Sequence, residues 1–169
     1  EEALRVVAYL KKHVDGFQNA YIGEIYDLAA REGRRMAGDY VLTMKDIIDH
    51  REFEDAVGMG AYPLNFHDPT GAAHIKSTRE FNENSDGAYD IPLRCLTSFI
   101  GNLLVVGKCI SATFKAQSAA RGIGPSMVGG QGAGTAAALA VRDRLEDIHE
   151  IDIKKLRKTL KSQGVIFAS

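Results

Sequence analysis

The sequence predicts an α+β fold, and three patterns point to that class. Residues 2–14 and 125–146 carry helical periodicity or helix-start signals. Residues 34–43 end in Tyr, Val, Leu and Thr with partial alternation, which is typical of a strand. The unbroken apolar run at 102–107 predicts a strand buried on both faces, as in a parallel sheet covered by helices.

Helices and caps can be assigned in the first third of the chain. Apolar residues recur at three- and four-residue spacing over 2–14, and Asp15-Gly16 ends this helix. Thr43 is a predicted N-cap, with Asp46 at the capping-box position. A short helix should therefore cover 44–50.

The middle of the chain is predicted to be mainly extended. Residues 53–67 carry an extended pattern that is interrupted at Gly58 and Gly60. Residues 68–88 are polar and rich in turn formers, so we expect a long loop or a loose hairpin there. Residues 89–96 form a further strand or extended segment, whose proline places it at an edge or an entry point.

The last third is predicted to be helical after the apolar run. One helix covers 113–120 and a longer one covers 125–146, with Pro125 at its first position. A final helix begins after Asp152 and ends at Gly164, the usual residue beyond a helix C-terminus. Its buried face should comprise Ile153, Leu156 and Leu160.

The long helix is unusual because four glycines lie in its N-terminal half. Each glycine costs about 1 kcal/mol relative to alanine in a helix interior. Something must therefore approach the backbone too closely for a methyl group. Two explanations remain open: another protein segment packed against the helix, or a flat ligand near its positive N-terminal end. The glycines are Gly129, Gly130, Gly132 and Gly134.

Composition excludes several classes of function. The chain has 169 residues and a net charge of −1, so neither nucleic acid nor a membrane surface is an expected partner. The two cysteines lack metal or redox spacing, and the histidines lack metal-ligand spacing, so no metal site is expected. The absence of a signal-peptide pattern favours the cytoplasm. The start at Glu1-Glu2, directly in a helix, is typical of a piece of a longer chain.

Four segments in order resemble the FAD-dependent oxidoreductases of the glutathione-reductase-like superfamily. They are "REGRRMAGDYVLT" with "FEDAVGMGAYPLNFHDP", "YDIPLRCL", "NLLVVGKCISAT" and "GGQGAGTAAALAV". The resemblance implies that residues 1–98 belong to a substrate domain with a mixed β-sheet and helices. It implies that residues 99–169 supply the terminal strand and C-terminal helices of the flavin-binding domain. The N-terminal ADP-binding part would lie outside this sequence.

The resemblance also implies which residues face the flavin. The turn after the apolar strand, Gly107, Lys108 and Cys109, would approach the cofactor, although many relatives carry aspartate where this chain has Lys108. The start of the long helix would point its backbone N–H groups at the flavin edge where negative charge develops. The residues implied there are Ser126, Met127, Val128, Gly129 and Gly130.

Further candidates each have a second, structural explanation. His67, followed by Asp-Pro, suits acid–base catalysis but equally suits a solvated loop. Arg94 is a candidate catalytic residue near the flavin. Arg34 and Arg35 are candidates for binding a substrate carboxylate, or are surface charges. Arg121 is a candidate for binding substrate or the pyrophosphate of the cofactor, or has no role in the site. Cys109 is a cofactor contact or a small buried hydrophobic residue.

The expected function is hydride transfer between a small organic substrate and FAD in the intact protein. This chain alone, without an ADP-binding half, should bind FAD poorly. The alternative is a non-enzymatic structural or binding module that associates with itself through exposed apolar surface. A third possibility is a phosphate-binding module at the start of the long helix.

Overall fold

A computed structural model of the chain describes residues 1–26, 33–67, 73–76 and 87–168, with only the backbone described at 65–67 and 73–76. It contains two compact units, Glu1–Ala30 and Arg31–Ser169. The predicted domain boundary between residues 98 and 99 stays a prediction. Within the described ranges, no helix combines the length and the apolar character that crossing a membrane requires.

The first unit contains helix α1, Glu2–His13, which confirms the predicted helix. Its last turn carries Lys11, Lys12 and His13, whose basic side chains suit the negative end of the helix dipole. The N–H of Val14 donates to the carbonyl of Leu10 at 3.0 Å and closes the helix.

The second unit combines helices with two small antiparallel sheets, which confirms the α+β class. In chain order its elements are α2 (Met44–Ile48), β1 (Ala56–Gly60), β2 (Leu64–His67), β3 (Ala73–Lys76), β4 (Tyr89–Pro92), α3 (Phe114–Ala120), α4 (Ile123–Asp143) and α5 (Ile153–Ser162). Strand β1 pairs with β4 and β2 pairs with β3, both antiparallel. The prediction of one mixed sheet is therefore wrong for the described residues, where parallel pairing is limited to a bridge between Leu42 and Ala112.

The segment at 34–43 is extended but is not the predicted strand. Its backbone groups bond to two neighbouring segments rather than to one partner strand. The N–H of Tyr40 donates to the carbonyl of Arg94 at 3.0 Å, whereas the N–H of Leu42 donates to the carbonyl of Ser111 at 3.1 Å. Residues 36–42 therefore pack on both 94–97 and 109–112, which also bond to each other.

The predicted cap of α2 is confirmed. The Thr43 hydroxyl accepts from the N–H of Asp46 at 3.2 Å, and the Asp46 carboxylate accepts from the N–H of Thr43 at 2.9 Å. Asp46 is buried, and it also accepts from the hydroxyl of Tyr40 at 2.9 Å and from the guanidinium of Arg51 at 3.3 Å. These bonds satisfy a carboxylate that burial would otherwise destabilise.

The prediction of a fully buried strand at 102–107 is wrong. Leu104 packs on the core, but Leu103 and Val106 are each 37% exposed. The N–H of Val105 donates to the carbonyl of Leu96 at 2.8 Å, and the segment belongs to neither sheet of the described residues. The apolar run is thus half-buried at Leu104 and Val105 and exposed at Leu103 and Val106.

Helix α4 interlocks with strand β1 through two glycine–valine pairs. A Cβ atom built on Gly132 would lie 2.5 Å from the Cβ of Val57, and one built on Gly58 would lie 2.6 Å from a methyl carbon of Val128. Gly58 also has φ +150°, which favours glycine. Protein packing therefore explains Gly132, and the two pairs fix the register of the helix on the strand.

Helix α5 follows its prediction closely. The carboxylate of Asp152 accepts from the N–H of Lys155 at 3.1 Å, and the helix ends before Gly164, which has φ +87°. Leu156 and Leu160 are fully buried, while Ile153 is half-buried. The buried stripe holds α5 against α4 and β1.

The interlock predicts opposite effects of alanine at two glycines of α4. Gly132→Ala should destabilise the fold by about 1–3 kcal/mol, because the new methyl group overlaps Val57. Gly134→Ala should stabilise it by up to about 1 kcal/mol, because the Cβ meets no atom within 4 Å and alanine favours the helix. Denaturant unfolding of both variants measures the difference, and equal effects would contradict the packing explanation.

Candidate flavin site

The turn at 107–109 and the start of α4 lie side by side. Gly107 begins a short 3₁₀ turn, Gly107–Cys109, with φ +73°, a conformation that favours glycine. A Cβ atom on Gly107 would lie 3.7 Å from the Ser126 hydroxyl, and one on Gly129 would lie 3.7 Å from Val106. The structure therefore brings together the two segments that the resemblance assigned to the cofactor.

Hydrogen bonds from two other segments fix the turn. The buried side chain of Gln117 in α3 donates from Nε2 to the carbonyl of Lys108 at 2.8 Å. The N–H of Met36 donates to the carbonyl of Cys109 at 2.9 Å. The Lys108 side chain is exposed and Cys109 is half-buried. The backbone of the turn, rather than its side chains, is thus the part held in a defined position.

The donors at the start of α4 differ from those expected. The helix begins at Ile123, so Pro125 is its third residue and not its first. The N–H of Ser126 donates to the carbonyl of Gly122 at 2.9 Å, so Ser126, Met127 and Val128 lie beyond the first free donors. Helix geometry leaves the N–H groups of Ile123 and Gly124 without an intrahelical acceptor, and Pro125 has none.

Surroundings differ among the glycines of α4. No heavy atom lies within 4 Å of a Cβ built on Gly124, Gly130 or Gly134, whereas Gly129 makes an ordinary contact. Protein packing therefore does not require glycine at those three open positions. Two of them, Gly124 and Gly130, lie in the first turns of the helix.

Large apolar side chains are exposed around the helix start. Ile123 is 81% exposed and Met127 is 70% exposed. Both lie in the first two turns of α4, whereas Leu103 and Val106, each 37% exposed, belong to the preceding apolar run. Val128 is different, because its side chain fills the space at Gly58 and contributes to packing.

The basic substrate candidates lie on segments that flank this site. Arg34 and Arg35 are exposed and precede Met36, which is bonded to the turn. Arg121 caps the C-terminus of α3, and its carbonyl accepts from the Ser126 hydroxyl at 3.2 Å. Their predicted role in substrate binding stays a prediction.

Arg94 has a structural partner. Its Nε and Nη2 atoms each donate to the carboxylate of buried Asp55 at 3.0 Å, and its own backbone N–H donates to the same carboxylate at 3.0 Å. The hydrogen bond to Asp55 raises the pKa of Arg94 despite partial burial. The guanidinium fork that would bind a substrate anion is thus directed to Asp55, and a catalytic role for Arg94 stays a prediction.

His67 ends strand β2, and its side chain lies outside the described residues. In the part of the chain that is described, His, Cys, Asp and Glu side chains form no group of three or more that could hold a metal ion. Cys95 is buried, and burial raises the pKa of its thiol to about 12, which keeps it protonated near neutral pH.

Sequence reasoning missed two features of this region. Gln117 carries no sequence signal, because its partner Lys108 lies in a preceding turn whose shape is not evident from local pattern. The donors at Ile123 and Gly124 could have been found, because proline is tolerated throughout the first helical turn, where N–H groups lack intrahelical acceptors.

Comparison with known families identifies the class of protein. The family model described as FAD dependent oxidoreductase matches residues 1–160. The chain therefore belongs to the FAD-dependent oxidoreductase family. Comparisons with curated proteins and with solved structures gave no significant match.

The residues at the helix start fit the flavin that this family uses. Gly107, Gly124 and Gly130 leave bare backbone that a Cβ would cover, and Ile123 and Gly124 supply N–H donors. Met127 is 70% exposed in the second turn of the helix, and Val106 is 37% exposed beside Gly129. Backbone donors beside apolar side chains are the chemistry that a flavin ring requires.

The structural role of Arg94 can be tested by substitution. Arg94→Lys keeps the charge but loses the paired bonds to Asp55, so we expect a loss of about 1–2 kcal/mol in the free energy of unfolding. Denaturant unfolding measures this loss. Arg142→Lys, at an exposed pair with Asp143, is the matched control and should change little. An Arg94→Lys protein as stable as the wild type would contradict the structural role.

Proposed function

We propose that this chain contributes the isoalloxazine-facing part of an FAD site in an oxidoreductase that acts on a small organic substrate. The observation that carries the proposal is the juxtaposition of Gly107 with the glycine-rich start of α4 in a chain of this family. When bound, FAD supplies the group that accepts or donates a hydride. The chain's own residues position that group and stabilise its charge.

The N–H groups of Ile123 and Gly124 are the proposed electrostatic contribution. They lie at the positive end of a helix of 21 residues, where negative charge is stabilised. Donors that are already oriented need no rearrangement when charge develops, so they favour the charged state of a bound ring. In this proposal the bound ring itself displaces water from the helix start, which strengthens this effect.

The proposed contribution of the turn at 107–109 is to let the flavin approach its backbone closely. At Gly107 the backbone carries no side chain, and Gln117 and Met36 hold the neighbouring peptide groups in place. We further propose that residues 1–98 provide the substrate side, with Arg34, Arg35 and His67 as substrate-facing groups, and that Arg121 from residues 99–169 joins them. An ADP-binding segment outside residues 1–169 would supply the remaining contacts to FAD.

A second candidate function is self-association through exposed apolar side chains. Phe99 is 85% exposed, and Ile100, Leu103, Ile123 and Met127 are exposed as well. Exposed apolar groups in this number favour a protein interface. A dimer that forms without flavin and that Met127→Glu disrupts would favour this second function over flavin binding.

A negative charge introduced at the start of α4 tests the proposed flavin site. Gly124→Glu places a carboxylate in the first turn of α4, which favours the helix itself but repels an anionic ring. Affinity for the reduced flavin should fall roughly tenfold relative to affinity for the oxidised, uncharged flavin, which corresponds to about 1.4 kcal/mol of lost electrostatic stabilisation. The measurement is the flavin content of the gene's whole product by visible absorbance, followed by its affinity for oxidised and for reduced flavin.

Gly124→Gln is the matched control, because it has the same size without the charge. It separates steric exclusion from electrostatic repulsion. Gly134→Glu is a second control, because it places the same charge at an open position far along the helix. A colourless wild-type protein, or equal affinity for reduced flavin in Gly124→Glu and the wild type, would contradict the proposed site.

A further inference from the structure

The connection between α4 and α5 holds a histidine between two carboxylates. His149 Nε2 lies 2.8 Å from Asp39 Oδ2, and His149 Nδ1 lies 2.5 Å from Asp147 Oδ1. The backbone N–H of His149 also donates to Asp147 at 3.0 Å. Asp39 lies 110 residues earlier in the chain, so the ring joins two distant segments of the second unit.

Two ionised carboxylates require two donors from this ring. A neutral imidazole has one N–H and one lone pair, whereas an imidazolium ion has two N–H groups. The short distances on both nitrogens therefore fit a protonated ring. In agreement, the hydrogen bonds to Asp147 and Asp39 raise the pKa of His149 above its ordinary value of 6.5.

The two carboxylates show the complementary shifts. Burial opposes ionisation of Asp39, but hydrogen bonds from Thr97 and His149 outweigh it and lower the pKa of Asp39. The backbone and ring N–H groups of His149 lower the pKa of Asp147. All three groups are thus charged together over a range of pH that extends above 6.5.

We propose that Asp39, His149 and Asp147 form a pH-sensitive clasp, which ties the 36–42 segment to the α4–α5 connection while the imidazole ring is protonated. Loss of the proton leaves one N–H for two acceptors. The bond to Asp147 is local and is supported by the backbone N–H of His149, so the bond to Asp39 is the one that is lost.

The clasp borders a cleft of about 290 Å³ that also contains Arg94 and Asp55. These two groups pair with each other, so the charge that faces the His149 ring comes from Asp39 and Asp147. The remaining walls are mostly apolar and include Leu93, Ile148 and Ile151. Deprotonation of His149 therefore makes the cleft more negative, and the Asp39 carboxylate loses its bond to the ring while it keeps the one from Thr97.

The sign of the stability effect follows from the raised pKa. A histidine with a raised folded-state pKa contributes stability that is complete below 6.5 and is lost as pH rises through the folded-state pKa. The wild type should therefore lose thermal stability relative to His149→Gln as pH rises through that value. The difference between the two melting temperatures should be largest at mildly acidic pH.

NMR measurement of the titration midpoint of the His149 ring in the whole chain tests the clasp directly. In the wild type the ring should titrate above 6.5, and Asp39→Asn should lower its midpoint and reduce the pH dependence of melting. Asp143→Asn, which removes an exposed partner of Lys155, is the control and should leave the midpoint unchanged. A wild-type midpoint at or below 6.5, or one that Asp39→Asn does not lower, would overturn the proposal. If Asp39→Asn does not fold, a pH dependence of melting that is equal in the wild type and His149→Gln would overturn it.

Discussion

The position of helix α4 on strand β1 is the constraint on which the rest of the second unit depends. Val57 fills the space at Gly132, and Val128 fills the space at Gly58, so each element offers a bare backbone to a side chain of the other. Neither pair can shift by a residue without a clash or a void, because protein interiors are closely packed. The start of α4 is therefore fixed relative to the turn at Gly107.

That geometry explains how a helix with many glycines can still be stable. One glycine, Gly132, is required by packing, while Gly124 and Gly130 face open space. The cost in helix propensity at the open positions is offset by the buried contacts of the same helix with β1 and α5. The proposed flavin site would use these open positions for the close approach of the ring.

Local signals in the sequence predicted the helices well and the pairing of extended segments poorly. The capping box of Thr43 and Asp46, and Gly164 beyond α5, depend on neighbours within a few residues, and both were confirmed. The 34–43 segment and the 102–107 run depend on which distant segment supplies backbone partners, and that information is not local. The long-range bonds of Gln117 and His149 were missed for the same reason.

The valine–glycine interlock has no ionisable group and no hydrogen bond among its side chains. Neither acidity nor ionic strength acts directly on such a contact, whereas both alter attraction between charged groups. The packing of α4 on β1 should therefore keep its geometry when a change of pH or ionic strength rearranges ion pairs elsewhere in the second unit. A change of pH can then alter charges at the proposed flavin site without acting directly on the valine–glycine packing that holds the start of α4.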